Sequence, residues 1–289
     1  MAGALRLGGR TFAPDELVVM AIVNRTPDSF FDRGATYAAD SALRAVERAV
    51  QEGAAIIDIG GVKAGPGADV DVAEEIRRTV ETIAAVRAAF PDVVISIDTW
   101  RAEVAVEAVA AGADLLNDTW SGADPALARV AARTGAGLVC SHAGGLTPRT
   151  RPHRAAFTDV VADVVATVTG LAERALTAGV RPDGILIDPA HDFGKNTRHS
   201  LEITRRLDEL TSTGWPLLVA LSNKDFIGET LDLPVAERLE GTLAATAISA
   251  WLGARVFRAH QVGPTRRVLE MVASIRGDRS PAATRRGLA

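Results

Sequence analysis

The chain of 289 residues has a single cysteine, Cys140, so it has no intramolecular disulfide and no multi-cysteine zinc site. That scarcity fits a reducing compartment, and a cytoplasmic protein is the expectation. A basic excess is also missing. Lys and Arg number 32 against 36 Asp and Glu, a formal net charge of −4 with a pI near 5.8. Phosphate backbones and anionic membrane surfaces are held by cationic surplus, so neither nucleic acid nor membrane is expected as a partner. Long apolar runs are absent: the longest clear one, Leu17 to Val23, falls far below the roughly 20 residues that cross a bilayer. Met1 to Arg10 has neither the basic start nor the apolar stretch of a secretory signal. The end of the chain sets Arg279, Arg285 and Arg286 among small residues, and 277–289 reads as a flexible basic tail.

What is present is an ordinary globular composition, 47% hydrophobic and 24% charged, enough to bury a full core. Eight short apolar runs recur: Leu17 to Asn24, Ala55 to Gly60, Val93 to Thr99, Leu115 to Asp118, Gly137 to His142, Ile185 to Pro189, Pro216 to Ser222 and Arg255 to His260. Between them lie segments of helical periodicity, among them Ala39 to Gln51, Val72 to Ala89, Ala102 to Ala111, Asp159 to Ala178, Ser200 to Leu210 and Glu237 to Leu252. The runs are apolar almost throughout, as strands buried on both faces of a parallel sheet must be. Gly53, Gly112, Gly179 and Gly253 follow helical segments and are expected to end them with positive φ. Strand and helix alternate without an evident linker. The pattern fits one α/β domain, a single (β/α)8 TIM barrel over residues 15–276, better than an open doubly wound sheet. Residues 1–14 are then an N-terminal extension, and both ends are expected to lack structure.

Nearly every apolar run finishes in an ionisable or hydrogen-bonding residue: Asn24, Asp58, Asp98, Asn117, His142, Asp188, Ser222 with Lys224, and Arg258 with His260. In a parallel barrel such ends converge on one mouth. An unpaired buried polar group costs several kcal/mol, so a ring of them calls for a polar ligand or mutual pairing. For Asp58 and Asp118, each beside a second polar group or a glycine, capping or bracing the rim stands next to ligand contact as a role.

The first strand end reads Met20-Ala-Ile-Val-Asn-Arg-Thr-Pro-Asp-Ser-Phe30, followed by Asp32, Gly34 and Ala35. It is joined by Ile56-Ile-Asp-Ile-Gly-Gly61, Ile95-Ser-Ile-Asp-Thr99, Leu116-Asn-Asp118, Ile187-Asp-Pro189 with Phe193-Gly-Lys195, Ala220-Leu-Ser-Asn-Lys224 and Arg258-Ala-His260. In order and spacing this set resembles dihydropteroate synthase. The resemblance implies a transferase of folate biosynthesis that condenses 6-hydroxymethyl-7,8-dihydropterin pyrophosphate with p-aminobenzoate. It implies a pterin pocket lined by Asp98, Asn117, Asp188 and Lys224, with Phe193 and Ser222 among the substrate contacts. Asn24, Arg258 and His260 would contact the pyrophosphate, with Mg²⁺ held by Asn24 and the phosphate oxygens. Asp98, Lys224 and Arg258 would be catalytic, Asp98 stabilising the pterin cation left when pyrophosphate departs. The same resemblance implies a homodimer, and the alanine-rich Leu243 to Leu252 around Trp251 reads either as its seam or as a close helix contact within the barrel.

The sequence departs from the family at several points. The usual Gly-Gly-Glu-Ser-Thr-Arg-Pro-Gly is Gly60-Gly-Val-Lys-Ala-Gly-Pro-Gly67, which removes a hydroxyl and a bidentate phosphate donor. Ser-Arg-Lys is Ser222-Asn-Lys224, and Met-His-Met is Ser141-His-Ala143. Asp-Pro-Gly, an apolar residue and Gly have become Asp188-Pro-Ala-His-Asp192, placing Asp192 where it is expected to repel an acceptor carboxylate. Donor recognition reads as kept and acceptor recognition as rebuilt, as in the divergent second paralogue of actinobacteria. Two readings follow: a synthase of weakened activity, or an inactive paralogue that only binds pterin. A pterin-dependent methyltransferase and a Schiff-base aldolase using Lys224 or Lys63 stand further off, the first because its relatives lack the Asn24 to Phe30 loop.

Overall fold

The computed structural model describes residues 3–26, 39–150 and 156–287. The turn features expected at Pro27, Asp28, Ser29, Phe30, Asp32, Gly34 and Ala35 lie outside the described residues. In chain order the elements are β1 (Leu5–Leu7), β2 (Arg10–Phe12), β3 (Val18–Asn24), α1 (Ala39–Gln51), β4 (Ile56–Gly60), α2 (Val72–Ala89), β5 (Val94–Asp98), α3 (Ala102–Ala110), β6 (Leu115–Asp118) and α4 (Ala126–Thr134). There follow β7 (Gly137–Ser141), α5 (Val160–Thr177), β8 (Ile185–Asp188), α6 (Thr197–Arg205), α7 (Leu207–Thr211), β9 (Leu218–Val219), α8 (Asp225–Leu231), α9 (Leu239–Trp251), β10 (Val256–Ala259) and α10 (Val262–Arg276).

Eight parallel strands pair in the order β8-β7-β6-β5-β4-β3-β10-β9. A parallel bridge between Ile187 and Leu217, with the Ile187 N–H 3.0 Å from the Pro216 carbonyl, brings the two edges together. The fold is a (β/α)8 barrel. Side chains alternate along each strand, so two apolar cores form. Val19, Ala21, Ile57, Ile59, Ile95 and Ile97 point outward and pack with helix residues such as Val46, Ile83, Val86 and Val104. Val18, Met20, Ile56, Val94, Leu115, Val139, Leu186, Leu218 and Val256 point inward and fill the lower barrel. Beyond that layer the inward positions turn polar.

The four glycines expected to end helices all have φ between +98° and +116°. Helix starts use side-chain caps where sequence offers them: Asp71 accepts from the Glu74 N–H and Asp159 from those of Val161 and Ala162. The segment expected as one helix from Ser200 to Leu210 is instead divided into α6 and α7. Arg206 leaves helical geometry at the junction, and its guanidinium binds Asp159 at 3.0 Å and Glu202 at 2.8 Å.

The N-terminus corrects the expectation of an unstructured end. Strands β1 and β2 form an antiparallel hairpin whose Leu5, Leu7 and Phe12 are fully buried and join the inner core. Arg255 ties it down by donating to the carbonyls of Gly3 and Phe12. Gly137 leaves room for it: a Cβ there would stand 2.5 Å from Leu7 Cδ2 and 2.8 Å from the Gly184 carbonyl oxygen. The hairpin stoppers the end of the barrel opposite the polar mouth. Phe12→Ala, which empties a fully buried aromatic position, is expected to destabilise the protein by about 3 kcal/mol, read as a lower urea midpoint at unchanged slope.

Candidate functional site at the barrel mouth

The inward parity that places Met20, Ile56, Val94 and Val256 in the apolar layer continues to Asn24, Asp58, Ser96 with Asp98, and Arg258 with His260. These converge at the C-terminal ends of the strands, the end at which (β/α)8 barrels carry their sites. A cavity of about 170 Å³ opens there. All nine residues expected to touch substrate line it: Asn24, Asp98, Asn117, Asp188, Phe193, Ser222, Lys224, Arg258 and His260. Ile22, Thr26, Thr119, Ala190 and Ala220 complete the interior, and Val62, Lys63, Ala64 and Gly65 of the β4–α2 loop form a wall.

At the centre lies a fully buried carboxylate, Asp58, which the sequence left between bracing and ligand contact. It accepts from Ser96 Oγ at 2.6 Å, from Asn117 Nδ2 at 3.2 Å and from Arg258 Nε at 2.6 Å. Arg258 also donates from Nη2 to Asp98 Oδ2 at 2.9 Å. One guanidinium thus bridges two carboxylates, and Asp58 fixes both the arginine and the amide that face the cavity. Alternation along β4 was the signal for Asp58: it lies two residues from Ile56 and two from Gly60, on the inward parity.

Burial sets the protonation chemistry. Loss of solvation pushes Asp98 up to about 7, opposed by Arg258 and reinforced by the neighbouring Asp58. Asp188 is likewise raised by burial, against the pull of Lys224, and accepts from the Ala190 N–H at 2.7 Å. Lys224 is lowered by burial. Its ammonium donates to the His191 carbonyl and stands 5.0 Å over the Phe193 ring. Asn117 Oδ1 is buried at the cavity with no hydrogen-bond partner among the described residues, an acceptor left for a ligand N–H. Ser222 Oγ lies 3.0 Å from His260 Nδ1 and accepts the His260 N–H at 3.1 Å, joining the ends of β9 and β10.

Several strand-end residues do not enter the cavity. His142 has the opposite parity and turns into the helix layer, where its Nε2 is 2.7 Å from Asp163 and burial pushes it down to about 4. Asp118 also points outward, accepting the N–H groups of Trp120 and Gly122, with burial pushing it up to about 6. Lys195 is buried and donates to three carbonyls, His142 at 3.0 Å, Ala190 at 3.1 Å and Phe193 at 2.8 Å, clasping two loops together. Burial pushes its ammonium down to about 7.

A family model described as pterin binding enzyme matches residues 20–260. The chain belongs to that family. The protein named inactive dihydropteroate synthase 2 from Mycobacterium leprae is 61% identical over 287 residues, covering 98% of this chain and 99% of that one. The dihydropteroate synthase of Haemophilus influenzae is 37% identical over 254 residues, 88% of this chain and 92% of its own. The solved Yersinia pestis dihydropteroate synthase in its sulfonamide drug complex superposes with a TM-score of 0.90 at 34% identity, covering 96% of this chain and 100% of that one.

Placed on this pterin-binding barrel, the departures from the family pattern sort differently from the sequence expectation. Of the divergent positions, the β4–α2 loop and Ala190 reach the cavity, and Asn223 and Asp192 do not. Asn223 is fully buried under the rim, bonded to Thr242 and Gln261. Asp192 does not face the entrance as expected. Its carboxylate accepts from Ser200 Oγ at 3.0 Å and from the Phe226 N–H at 3.2 Å, capping α8 from behind Lys224. The backbone explains the turn: Ala190 and Asp192 stand where the family pattern has glycine, and they keep left-handed φ of 48° and 69°. Sequence reasoning also missed the aromatic row behind the cavity, in which Trp120 packs edge-on to Phe193 at 5.4 Å and to Trp100 at 6.5 Å.

Among the described residues no group of three His, Cys, Asp or Glu side chains is placed to hold a metal ion. Asn24 offers a single amide oxygen at the cavity wall. No helix among the described residues is long and apolar enough to cross a membrane. If Asp58 is the hub, Asp58→Ala strands Arg258 and Asn117 without their shared acceptor and is expected to lower unfolding free energy by about 3 kcal/mol in urea. An unchanged midpoint would show that the network does not depend on it.

Proposed function

We propose that this protein binds a pterin in the barrel mouth and has lost the condensation with p-aminobenzoate that a synthase performs. The observation carrying this reading is the division of one cavity. Its floor holds Asp98, Asn117, Asp188 and Lys224, while its loop wall holds Val62, Ala64 and Gly65 where the family pattern places Glu, Thr and Arg. A pterin edge alternates amine donors with ring acceptors. Carboxylates accept from the donors, and Lys224 serves a ring acceptor or carbonyl. Asn117 Oδ1, buried and unpartnered, awaits one such donor. The chemistry asks more of the wall. A guanidinium held on a leaving pyrophosphate contributes about 1.5 to 3 kcal/mol as a charged hydrogen bond, or one to two decades in rate. The relative from Mycobacterium leprae, with its name of inactive synthase, is consistent with that loss.

Of the two readings that the sequence left, the inactive paralogue is preferred here, and the weakened synthase keeps one observation on its side, the presence of Asp98, Lys224 and Arg258 around one cavity. The assays separate them. Calorimetric titration with 6-hydroxymethylpterin is expected to find one site per chain. Pyrophosphate release from the pterin pyrophosphate with p-aminobenzoate is expected to be no faster than in Asp98→Ala. Turnover clearly above that variant would restore the synthase reading.

The donor set at Asn24 fits Mg²⁺ only in company with phosphate. Mg²⁺ takes one or two protein oxygens and completes its octahedron with water and substrate phosphates, and one amide oxygen supplies that minimum. In that role Asn24 would hold the ion and the ion would neutralise phosphate charge.

The raised Asp98 sets a pH dependence. Its carboxylate form offers both oxygens to pterin N–H groups, whereas protonation turns one of them into a donor, so affinity for 6-hydroxymethylpterin is expected to be full only well above about 7. Below that it falls by close to tenfold per pH unit. Asp98→Asn should bind weakly with a flat profile, and a native profile flat from pH 5.5 to 8 would remove Asp98 from pterin contact.

We further propose a homodimer through α9 and α10. These helices leave Ile248, Trp251, Met271 and Ile275 exposed, Trp251 at 59%, an apolar face that association would cover. Light scattering should give twice the 30.3 kDa chain mass, and Trp251→Asp should halve it.

A further inference from the structure

Resting on the pterin reading above, we propose that Thr119 is a positioning residue of the site, its hydroxyl holding the Asp98 carboxylate in the orientation that receives pterin N–H groups. It lies one step past the Leu116-Asn-Asp118 motif, outside the set of residues that the family resemblance names.

The backbone brings it there. Along β6 the inward parity runs from Leu115 to Asn117, and Thr119 is the next residue on it, lining the cavity. Asp98 stands opposite Asn117 in the β5–β6 register, so the following inward side chain rises beside its carboxylate. The turn beyond is fixed on both sides. Asp118 accepts the N–H groups of Trp120 at 2.9 Å and Gly122 at 2.7 Å, while Ser121 Oγ donates to the Ser141 carbonyl on β7 at 2.7 Å. Trp120 between them is buried in the aromatic row. Thr119 is thus held between a strand and a pinned turn, and its β-branched side chain has few rotamers open to it.

The carboxylate needs such a hold. The last torsion of an aspartate joins sp³ to sp² carbon and has a broad profile, so a single grip lets the group swing. Arg258 Nη2 donates to Oδ2 at 2.9 Å and Thr119 Oγ1 donates to Oδ1 at 3.3 Å. With both oxygens held, from β10 and from the end of β6, the plane of the group is set and lone-pair capacity on each oxygen remains for the cavity. Charge points the same way. Burial, Asp58 on β4 and Glu75 on α2 press Asp98 toward its neutral form, and Arg258 and the Thr119 hydroxyl oppose them.

The hydroxyl has a second effect on the wall. Threonine has one hydroxyl proton, and with that proton spent on Asp98 its oxygen has only acceptor capacity left. Asn117 has likewise spent Nδ2 on Asp58 and presents Oδ1. The β5–β6 side of the cavity is therefore a run of acceptors, fitted to the amine edge of a pterin.

The test is calorimetric titration of the full chain with 6-hydroxymethylpterin at pH 8, each variant checked by thermal melting. Thr119→Val keeps the shape and loses the hydroxyl, and should weaken binding by about tenfold, the scale of one hydrogen bond to a charged group at the long end of the range. Thr119→Ser keeps the hydroxyl and loses the methyl, and should bind within about threefold of the native chain. A packing role reverses that order. In Asp98→Asn, which has no carboxylate charge to hold, adding Thr119→Val should cost about threefold or less. Native binding with Thr119→Val unchanged, or with Thr119→Ser losing as much as Thr119→Val, overturns the proposal and leaves the pterin reading intact. A full tenfold loss in both backgrounds also overturns it, since the hydroxyl would then act on the ligand and not through Asp98. Failure of the native chain to bind the pterin overturns the pterin reading itself.

Discussion

One arginine between two aspartates holds the mouth of this barrel together. Arg258 on the last strand reaches Asp58 on β4 and Asp98 on β5. Asp58 in turn holds Ser96 and Asn117, so the inward residues of β4, β5, β6 and β10 form one bonded unit. A polar layer above an apolar one is costly unless its members satisfy each other. Here the network supplies that satisfaction and leaves chosen atoms over, Asn117 Oδ1 among them. The same pairing that makes the layer tolerable in the folded protein also decides which charges remain available at the cavity.

Much of this was legible in the sequence because strand and helix periods differ so plainly. Eight apolar runs became eight strands, and the glycines after the helices took the positive φ expected of them. The cavity was legible through motif order: nine residues scattered from Asn24 to His260 meet in one space. Asp58 and His142 were harder, since both end apolar runs in polar groups, yet one lies on the inward parity and the other on the outward. Counting parity along each strand separates them, whereas counting polar ends does not. The hairpin of Leu5 to Phe12 was illegible for another reason. Three-residue strands carry almost no periodicity, and their value lies in the hollow they fill, which exists only once the barrel closes.

Ala190 and Asp192 show how a backbone outlives its sequence. Both keep left-handed conformations suited to glycine, at a cost of order 1 kcal/mol each. The β8–α6 loop is held in that path by its own side chains, Lys195 gripping the carbonyls of Ala190, Phe193 and His142 and Asp192 capping α8. A substitution that gains a helix cap therefore persists in spite of its dihedral strain, and a carboxylate comes to rest beside Lys224 without reshaping the loop.

The hairpin has a consequence for traffic. With Leu5, Leu7 and Phe12 shutting the lower end, the cavity among the described residues lies at the opposite end of the barrel, where the β4–α2 loop lines it. Whatever sits deepest must enter first and leave last, so residence time of the deep ligand is governed by the doorway rather than by the floor that recognises it. Two proteins with identical floors and different doorways would then differ in how long they hold the same molecule, a distinction between a catalyst that must turn over and a carrier that must not let go.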